Sequence, residues 1–240
     1  MLSVNSPRPG VSYARDGIER SIPVLSSNTS KLIVQVTGRM FDASLRQWID
    51  KPIALAGRKV ALVGISADAV SVLGLAFGIA SALAIVFGQF WIGLTLFLLS
   101  RLADGLDGAV ARATTRTDRG GFLDITFDFL VYAAIPLAFA MHNAHANALP
   151  AALLLASFLA NGSAFLAFSI MAERRGLKTT RHGFKSIYYL AGIAEGFETI
   201  VFVAAFCLWS EWFPHLAIVF ATMCFVSATG RLVLGWRMLT

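Results

Sequence analysis

Charge is scarce in this chain. Only 14% of its 240 residues are Asp, Glu, Lys or Arg, against roughly 25% in soluble domains. With 57% of residues hydrophobic and a mean hydropathy of +0.69, intrinsic disorder is excluded over most of the length, because so much apolar surface cannot stay solvated. Cysteine is nearly absent. Cys207 and Cys224 both fall inside apolar runs and fit no C-x-x-C or metal-ligand spacing, which reads as core packing. A basic start followed by an apolar centre and a small-residue cleavage site is lacking too, so no signal peptide is expected. The net charge is +6 and the pI near 9.7, yet the basic residues border long apolar runs. That distribution argues against a nucleic-acid partner and for a polytopic, all-α membrane protein.

Residues 1–40 are rich in Ser, Arg, Pro and Gly and read as a poorly ordered cytoplasmic tail; residues 41–240 read as the membrane domain. From Phe41 the pattern changes. Phe41, Leu45, Trp48, Ile49 and Ile53 recur at helical spacing, with Asp42, Arg46, Gln47 and Asp50 opposite. This predicts an amphipathic helix, lying in the membrane interface or packed on protein. Six runs follow, near 69–88, 91–111, 121–141, 149–171, 187–208 and 213–234, each close to the ~20 residues a bilayer crossing needs. The expected connections are short at 89–90, 142–148 and 209–212, and longer and polar at 112–120 and 172–186. Gly74 and Gly78, four apart in the first run, suit close helix packing in lipid.

The distribution of Lys and Arg orients these runs. Nine precede the first run, four flank the 112–120 connection, five flank 172–186 and two lie near the C-terminus, which accounts for all 20. None is left for the other three connections. The positive-inside rule then places both termini and both basic connections in the cytoplasm, with the plasma (inner) membrane as the expected location.

The stretch from Arg101 to Leu130 carries the chemistry. Asp104 and Asp107 are three apart, Asp124 and Asp128 four apart, so each pair shares a helical face. Gly120 and Gly121 allow a tight reversal before the second pair. An ionisable residue deep in a span costs ~2.5–3.5 kcal/mol and is usually paired. Four facing carboxylates repel, and Arg112 can neutralise only one. Hard divalent cations, Mg²⁺ or Mn²⁺, are the economical counter-charge. No His or Cys is interleaved, which argues against zinc. Asp118, alone in the connection, reads as an acidic residue at a helix start.

The pattern D-x-x-D-G-x-x-A-R, seven residues, then G-x-x-x-D-x-x-x-D is present without a gap: Asp104, Asp107, Gly108, Ala111, Arg112, Gly120, Asp124 and Asp128. It resembles the signature of the CDP-alcohol phosphotransferases, and the six-run layout agrees over roughly residues 45–237. The resemblance implies a homodimeric enzyme of phospholipid synthesis, with six transmembrane helices per protomer and a cavity open to the cytoplasm. It implies two divalent ions held by Asp104, Asp107, Asp124 and Asp128, with Asp128 also the general base. Gly108, Ala111, Arg112 and Gly120 would receive the CDP part of the substrate. The implied reaction passes a phosphatidyl group from CDP-diacylglycerol to the hydroxyl of a polar alcohol, phosphorylated or not, and releases CMP. An aminoalcohol-type variant, with a CDP-linked head group and a lipid acceptor, fits the same signature.

For the acceptor, Arg174, Arg175, Lys178, Arg181 and Lys185 offer either plain positive-inside anchoring or a basic pocket. Glu195 and Glu198, inside the fifth run, are expected to face the cavity. Family members that use phosphorylated polyols often read E-R-x-x-E-R here, whereas this chain has Glu195-Gly196 and Glu198-Thr199. It also has Ala67-Asp68 where many members have Pro-Asn. Among rivals, an intramembrane prenyltransferase normally needs more spans and well-separated aspartate motifs. A divalent-cation transporter tends to carry its charges near the midplane on repeated or broken helices, whereas here they collect at one end and no internal repeat is evident.

Overall fold

The computed structural model describes residues 41–175 and 196–239, and the side chains of 51–175 and 196–237. Two units are distinguished, Met1–Trp48 and Ile49–Thr240; of the first, only the opening of one helix is among the described residues, and the bundle belongs to the second. The expected tail at 1–40, together with Lys178, Arg181, Lys185 and Glu195, lies outside the described residues.

Helix α1 (Phe41–Leu62) starts where the amphipathic pattern predicts and runs past Ile53; Gly64, in the turn after it, has a φ of +85° that suits glycine. Helix α2 (Ala67–Val86) is capped by Ser66, whose Oγ accepts from the Ala69 N–H at 3.2 Å, and Asp68 sits in its first turn. Gly88, at φ +73°, makes the reversal into α3 (Phe90–Ala113). Four residues, Thr114–Thr117, lead into α4 (Asp118–His142), capped by Thr117 Oγ1 accepting from Gly120 N–H at 3.0 Å. Helix α5 (Ala144–Arg174) follows. Beyond the undescribed stretch come α6 (Gly196–Leu208), a 3-10 turn (Ser210–Trp212) and α7 (Phe213–Leu239). No strand occurs among the described residues.

Four stretches are long and apolar enough to cross a bilayer: Ala67–Val86, Asp118–His142, Ala144–Arg174 and Ser210–Arg237. The sequence predicts six. Helix α3 is not among them, because Arg101, Asp104 and Asp107 interrupt its apolar run, and α6 is described over only 13 residues. The connection predicted at 142–148 is shorter than expected. Only Asn143 separates α4 from α5, and the polar residues read as a loop serve as caps. Asn143 Oδ1 accepts from Ala146 N–H at 3.3 Å, and buried Asn147 donates from Nδ2 to the Phe139 carbonyl at 2.9 Å. These bonds satisfy groups that the end of one helix and the start of the next leave open.

Helix α2 packs along both α3 and α4, α5 packs along α4 and α7, and α6 bridges α3 and α7. Small residues set the spacing, as Gly74 and Gly78 foretell. A Cβ on Gly74 would sit 3.3 Å from Ala103 Cβ, and one on Gly78 would collide with the Val131 methyls. Buried Ser81 donates to the Gly93 carbonyl at 2.6 Å, tying α2 to α3 inside the apolar bundle. Farther from the acidic residues the core is aromatic. Phe139 stacks on Phe213 with centroids 4.4 Å apart, and Phe202 on Phe220 at 4.3 Å. Cys207 and Cys224 are buried in the same cluster as free thiols.

Candidate functional site

Helices α3 and α4 each lean on α2 more closely than on one another. Their acidic halves therefore face across a gap that α2 closes from behind. A small cavity in this gap is lined by all four aspartates, with Ser71 of α2 and Ser100 and Arg101 of α3. Asp104, Asp107 and Asp124 bring one carboxylate oxygen each within 4.8 Å of the others. Asp107 is buried and Asp104 half-buried, while Asp124 is exposed. The three-residue spacing thus puts Asp104 and Asp107 on one face, as helical periodicity predicts, and α4 brings Asp124 to them.

Two further contacts fix this cluster. The Ser71 hydroxyl donates to Asp107 Oδ2. Arg101, one turn before Asp104, donates from Nη1 to Asp128 Oδ1 at 2.5 Å and lies 3.8 Å from Asp104 Oδ2. Asp128 is not part of the group of three converging carboxylates; its Oδ1 is taken up by Arg101. The sequence points to Arg112 as the counter-charge. The ion pair with the acidic cluster belongs instead to Arg101, whose register on α3 aims inward while Arg112 is exposed near the helix end. An arginine flanked by Leu98, Leu99 and Leu102 was the available signal, since an unpaired charge is too costly there.

A larger cavity of about 570 Å³ opens beside Asp107 and Asp124. Its walls come from the α1–α2 junction, the start of α2, the end of α3 and the start of α4. Gly108, Ala111, Arg112 and Gly120 all line it. Asp68 lines it as well, and its carboxylate pairs with Arg119 of α4 across the opening. The residue that departs from the family's Pro-Asn is thus part of the site. Arg119 is 77% exposed, so the pair adds little stability, about 0–1 kcal/mol.

A second cavity of about 560 Å³ lies on the far side of Asp128, between α4, α5, α6 and α7. Its polar residues are Asp128, Tyr132, Asn161, Thr199 and Arg231, set among Phe129, Phe158, Phe165 and Leu155. Arg231 donates to Asn161 Oδ1 at 2.8 Å and lies over the Phe165 ring. Arg174, Arg175 and Glu198 are not among the residues lining either large cavity, and Arg174 and Arg175 are exposed at the end of α5.

Comparison with known proteins follows the same lines. Residues 65–231 match the family model of CDP-alcohol phosphatidyltransferase. The inner membrane protein YnjF of Escherichia coli (strain K12) is 39% identical over 173 residues, covering 72% of this chain and 84% of that protein. Two crystal structures of Mycobacterium tuberculosis phosphatidylinositol phosphate synthase (PgsA1) share the fold. The form with CDP-DAG bound has a TM-score of 0.57 at 22% identity, over 77% of this chain and 93% of that one. The form in complex with manganese and citrate has a TM-score of 0.57 at 24% identity, over 77% and 88%.

Proposed function

The chain belongs to the CDP-alcohol phosphatidyltransferase family, and from that premise we propose that it transfers the phosphatidyl group of CDP-diacylglycerol to the hydroxyl of a polar alcohol, releasing CMP, in phospholipid synthesis. The observation that carries this reading is the convergence of Asp104, Asp107 and Asp124 beside a cavity of about 570 Å³, within the size range of small-molecule sites. CDP-DAG bound in PgsA1, which shares the fold, supports the choice of donor.

The donor set fits a hard divalent ion. Three carboxylates within reach of one point, with no sulfur or imidazole among them, suit Mg²⁺ or Mn²⁺, and manganese in the second PgsA1 structure supports that choice. Such an ion supplies charge neutralisation at the diphosphate and stabilises the departing CMP. The family resemblance implies two ions. Three converging carboxylates support one, and Asp128, bonded to Arg101 through Oδ1, keeps Oδ2 for a second.

The remaining work falls to the chain's own residues. Gly108 and Ala111 keep the α3 surface low enough for a nucleotide to lie against it, as does Gly120 at the start of α4. Arg112 and Arg116 line the same cavity and attract phosphate oxygens. Asp128 borders both the acidic cluster and the second cavity, a suitable place for a base that takes the proton of an acceptor hydroxyl. The acceptor enters from that second cavity, with Arg231, Asn161 and Thr199 as polar contacts. Arg174, Arg175, Lys185, Glu195 and Glu198 serve its approach from the cytoplasmic side. The protein works as a homodimer, with α1 in the membrane interface. A second reading, transfer from a CDP-linked head group to a lipid hydroxyl, is favoured by one observation: the cavity beside Asp128 is lined chiefly by apolar residues.

The test is CMP release by purified protein with Mn²⁺. Labelled CDP-diacylglycerol is offered with glycerol phosphate, inositol, inositol phosphate, serine or simple amino alcohols; CDP-choline or CDP-ethanolamine with diacylglycerol forms the other arm. CMP release and a labelled phospholipid in one well of the first arm are expected, with loss on adding EDTA. Turnover confined to the second arm selects the second reading, and turnover undiminished by EDTA sinks the metal assignment.

A further inference from the structure

The cavity of about 560 Å³ beyond Asp128 is walled chiefly by apolar side chains, so its few polar groups decide what it can hold. Tyr132 stands four residues after Asp128 on α4, and the shared helical face puts both on this wall. Its Oη accepts from Arg101 Nη1 at 3.2 Å. Arginine has donors only, so the phenolic proton is left to give, and no acceptor for it occurs among the described residues. Asn161 of α5 repeats the pattern. Its Oδ1 accepts from Arg231 Nη1 at 2.8 Å, which fixes the orientation of the amide, because its nitrogen cannot accept from a guanidinium. The Nδ2 protons have no partner among the described residues. Each arginine thus takes the oxygen of its neighbour and leaves that neighbour a donor on the cavity wall.

The same two arginines set the sign of charge. An aromatic wall can take an ammonium group, but here cations already lie against it. The Arg101 guanidinium carbon is 5.0 Å from the Tyr132 ring centroid, and that of Arg231 is 5.3 Å from the Phe165 centroid. Asp128 is the only anion lining the cavity among the described residues, and Arg101 holds its Oδ1. An ammonium placed there would face N–H and O–H donors and two guanidinium groups that cannot lose their charge. Oxygen atoms, of a hydroxyl or a phosphate, would meet donors instead.

We propose that this cavity selects an alcohol whose polar atoms beyond the reacting hydroxyl are oxygens, a polyol with or without a phosphate, and rejects amino alcohols, with Tyr132 and Asn161 as the residues that read those oxygens. The inference rests on the reading of the chain as a phosphatidyltransferase that uses a polar alcohol, and it names the class of that alcohol. Neither residue belongs to the family signature.

The test uses the full-length protein in nanodiscs with Mn²⁺ and labelled CDP-diacylglycerol, offering glycerol, inositol, glycerol phosphate, serine or ethanolamine. CMP release with a polyol or its phosphate should exceed that with either amine by about tenfold or more, and the phosphate-free wells tell the two oxygen sources apart. Asn161→Asp keeps an oxygen toward Arg231 but replaces the amide donor with a second carboxylate oxygen. It should raise the acceptor KM by about tenfold or more, leave the KM for CDP-diacylglycerol unchanged, and shift selectivity toward ethanolamine. Tyr132→Phe should raise the acceptor KM in the same way, with no gain for ethanolamine. A purely structural role would move neither the ratio of the two KM values nor the choice of acceptor. A wild-type preference for serine or ethanolamine, or an unchanged acceptor KM in either variant, overturns the inference and leaves phosphatidyl transfer standing. No CMP release with any acceptor, or turnover only of CDP-ethanolamine with diacylglycerol, overturns both. Should one variant not fold, the wild-type preference and the other variant decide the matter.

Discussion

A single hydroxyl on α2 decides how the most buried of the aspartates points. Ser71 Oγ lies 3.1 Å from the Ala67 carbonyl and is also bonded to Asp107 Oδ2. With one proton to give, it favours the charged acceptor. That leaves Asp107 Oδ1 for an ion and fixes the plane of the carboxylate, the task of groups that orient metal ligands. Ser71→Val removes the hydroxyl while keeping the outline of Thr, and should lower both Mn²⁺ affinity and CMP release by about 10–100-fold. Ser71→Thr should restore both. Equal behaviour of the two variants would mean the bond to Asp107 is incidental. The aspartates themselves were legible in the sequence, because spacings of three and four place each pair on one helix face whatever the tertiary fold. Their partners were not. Ser71 and Asp107 are 36 positions apart, and Asp68 and Arg119 are 51 apart. Such pairs depend on the register of separate helices, which no local period encodes.

The elements that bring those side chains together are set by small residues, and their tolerance is specific to position. Gly78 of α2 faces Val131 of α4 so closely that any Cβ collides with the Val131 methyls. Gly78→Val must push α2 from α4, an overpacking cost of about 1–3 kcal/mol, and should lower the thermal midpoint in detergent together with Mn²⁺ binding. Gly121, in the first turn of α4, has nothing within 4 Å of an added Cβ. Gly121→Ala should raise stability by about 0.5–1 kcal/mol through the helix's preference for Ala. A midpoint for Gly78→Val at or above that of Gly121→Ala would contradict this account of the packing. The four-residue spacing of Gly74 and Gly78 announced the contact, though not its partner helix. The α4–α5 junction was misread for a related reason. Residues 142–148 are polar enough to suggest a loop, but Asn143 and Asn147 spend their side chains on backbone groups of the two helices, so the chain turns at one residue.

Across the bundle, charge separates between its two ends. Consecutive helices reverse direction, so the α1–α2 junction, Thr114–Thr117, the end of α5 and the end of α7 share one end with the acidic cluster. That end carries Arg58, Lys59, Arg112, Arg116, Arg119, Arg174, Arg175 and Arg237. At the other end, around Gly88, Asn143 and Ser210–Trp212, the described residues include no Lys or Arg, and exposed Trp91, Trp209 and Trp212 lie there, the residue type that lipid–water boundaries favour. Helix α5, with 31 residues and so about 46 Å of length, exceeds a hydrocarbon core of about 30 Å. It therefore tilts or extends its basic end beyond the lipid. The positive-inside rule then predicts that the aspartates open toward the cytoplasm, the side on which a water-soluble acceptor or a released CMP belongs. Native Cys207 and Cys224 are 5% and 1% exposed and give little background to thiol labelling. Single cysteines at exposed positions, Thr115→Cys and Glu211→Cys, can therefore report the two ends. A membrane-impermeant maleimide should label Glu211→Cys on intact cells, and Thr115→Cys only after the membrane is opened. Labelling of Thr115→Cys on intact cells would place the acidic cluster on the wrong side for a cytoplasmic acceptor, and the proposed function would then fail on topology, whatever the aspartates can bind.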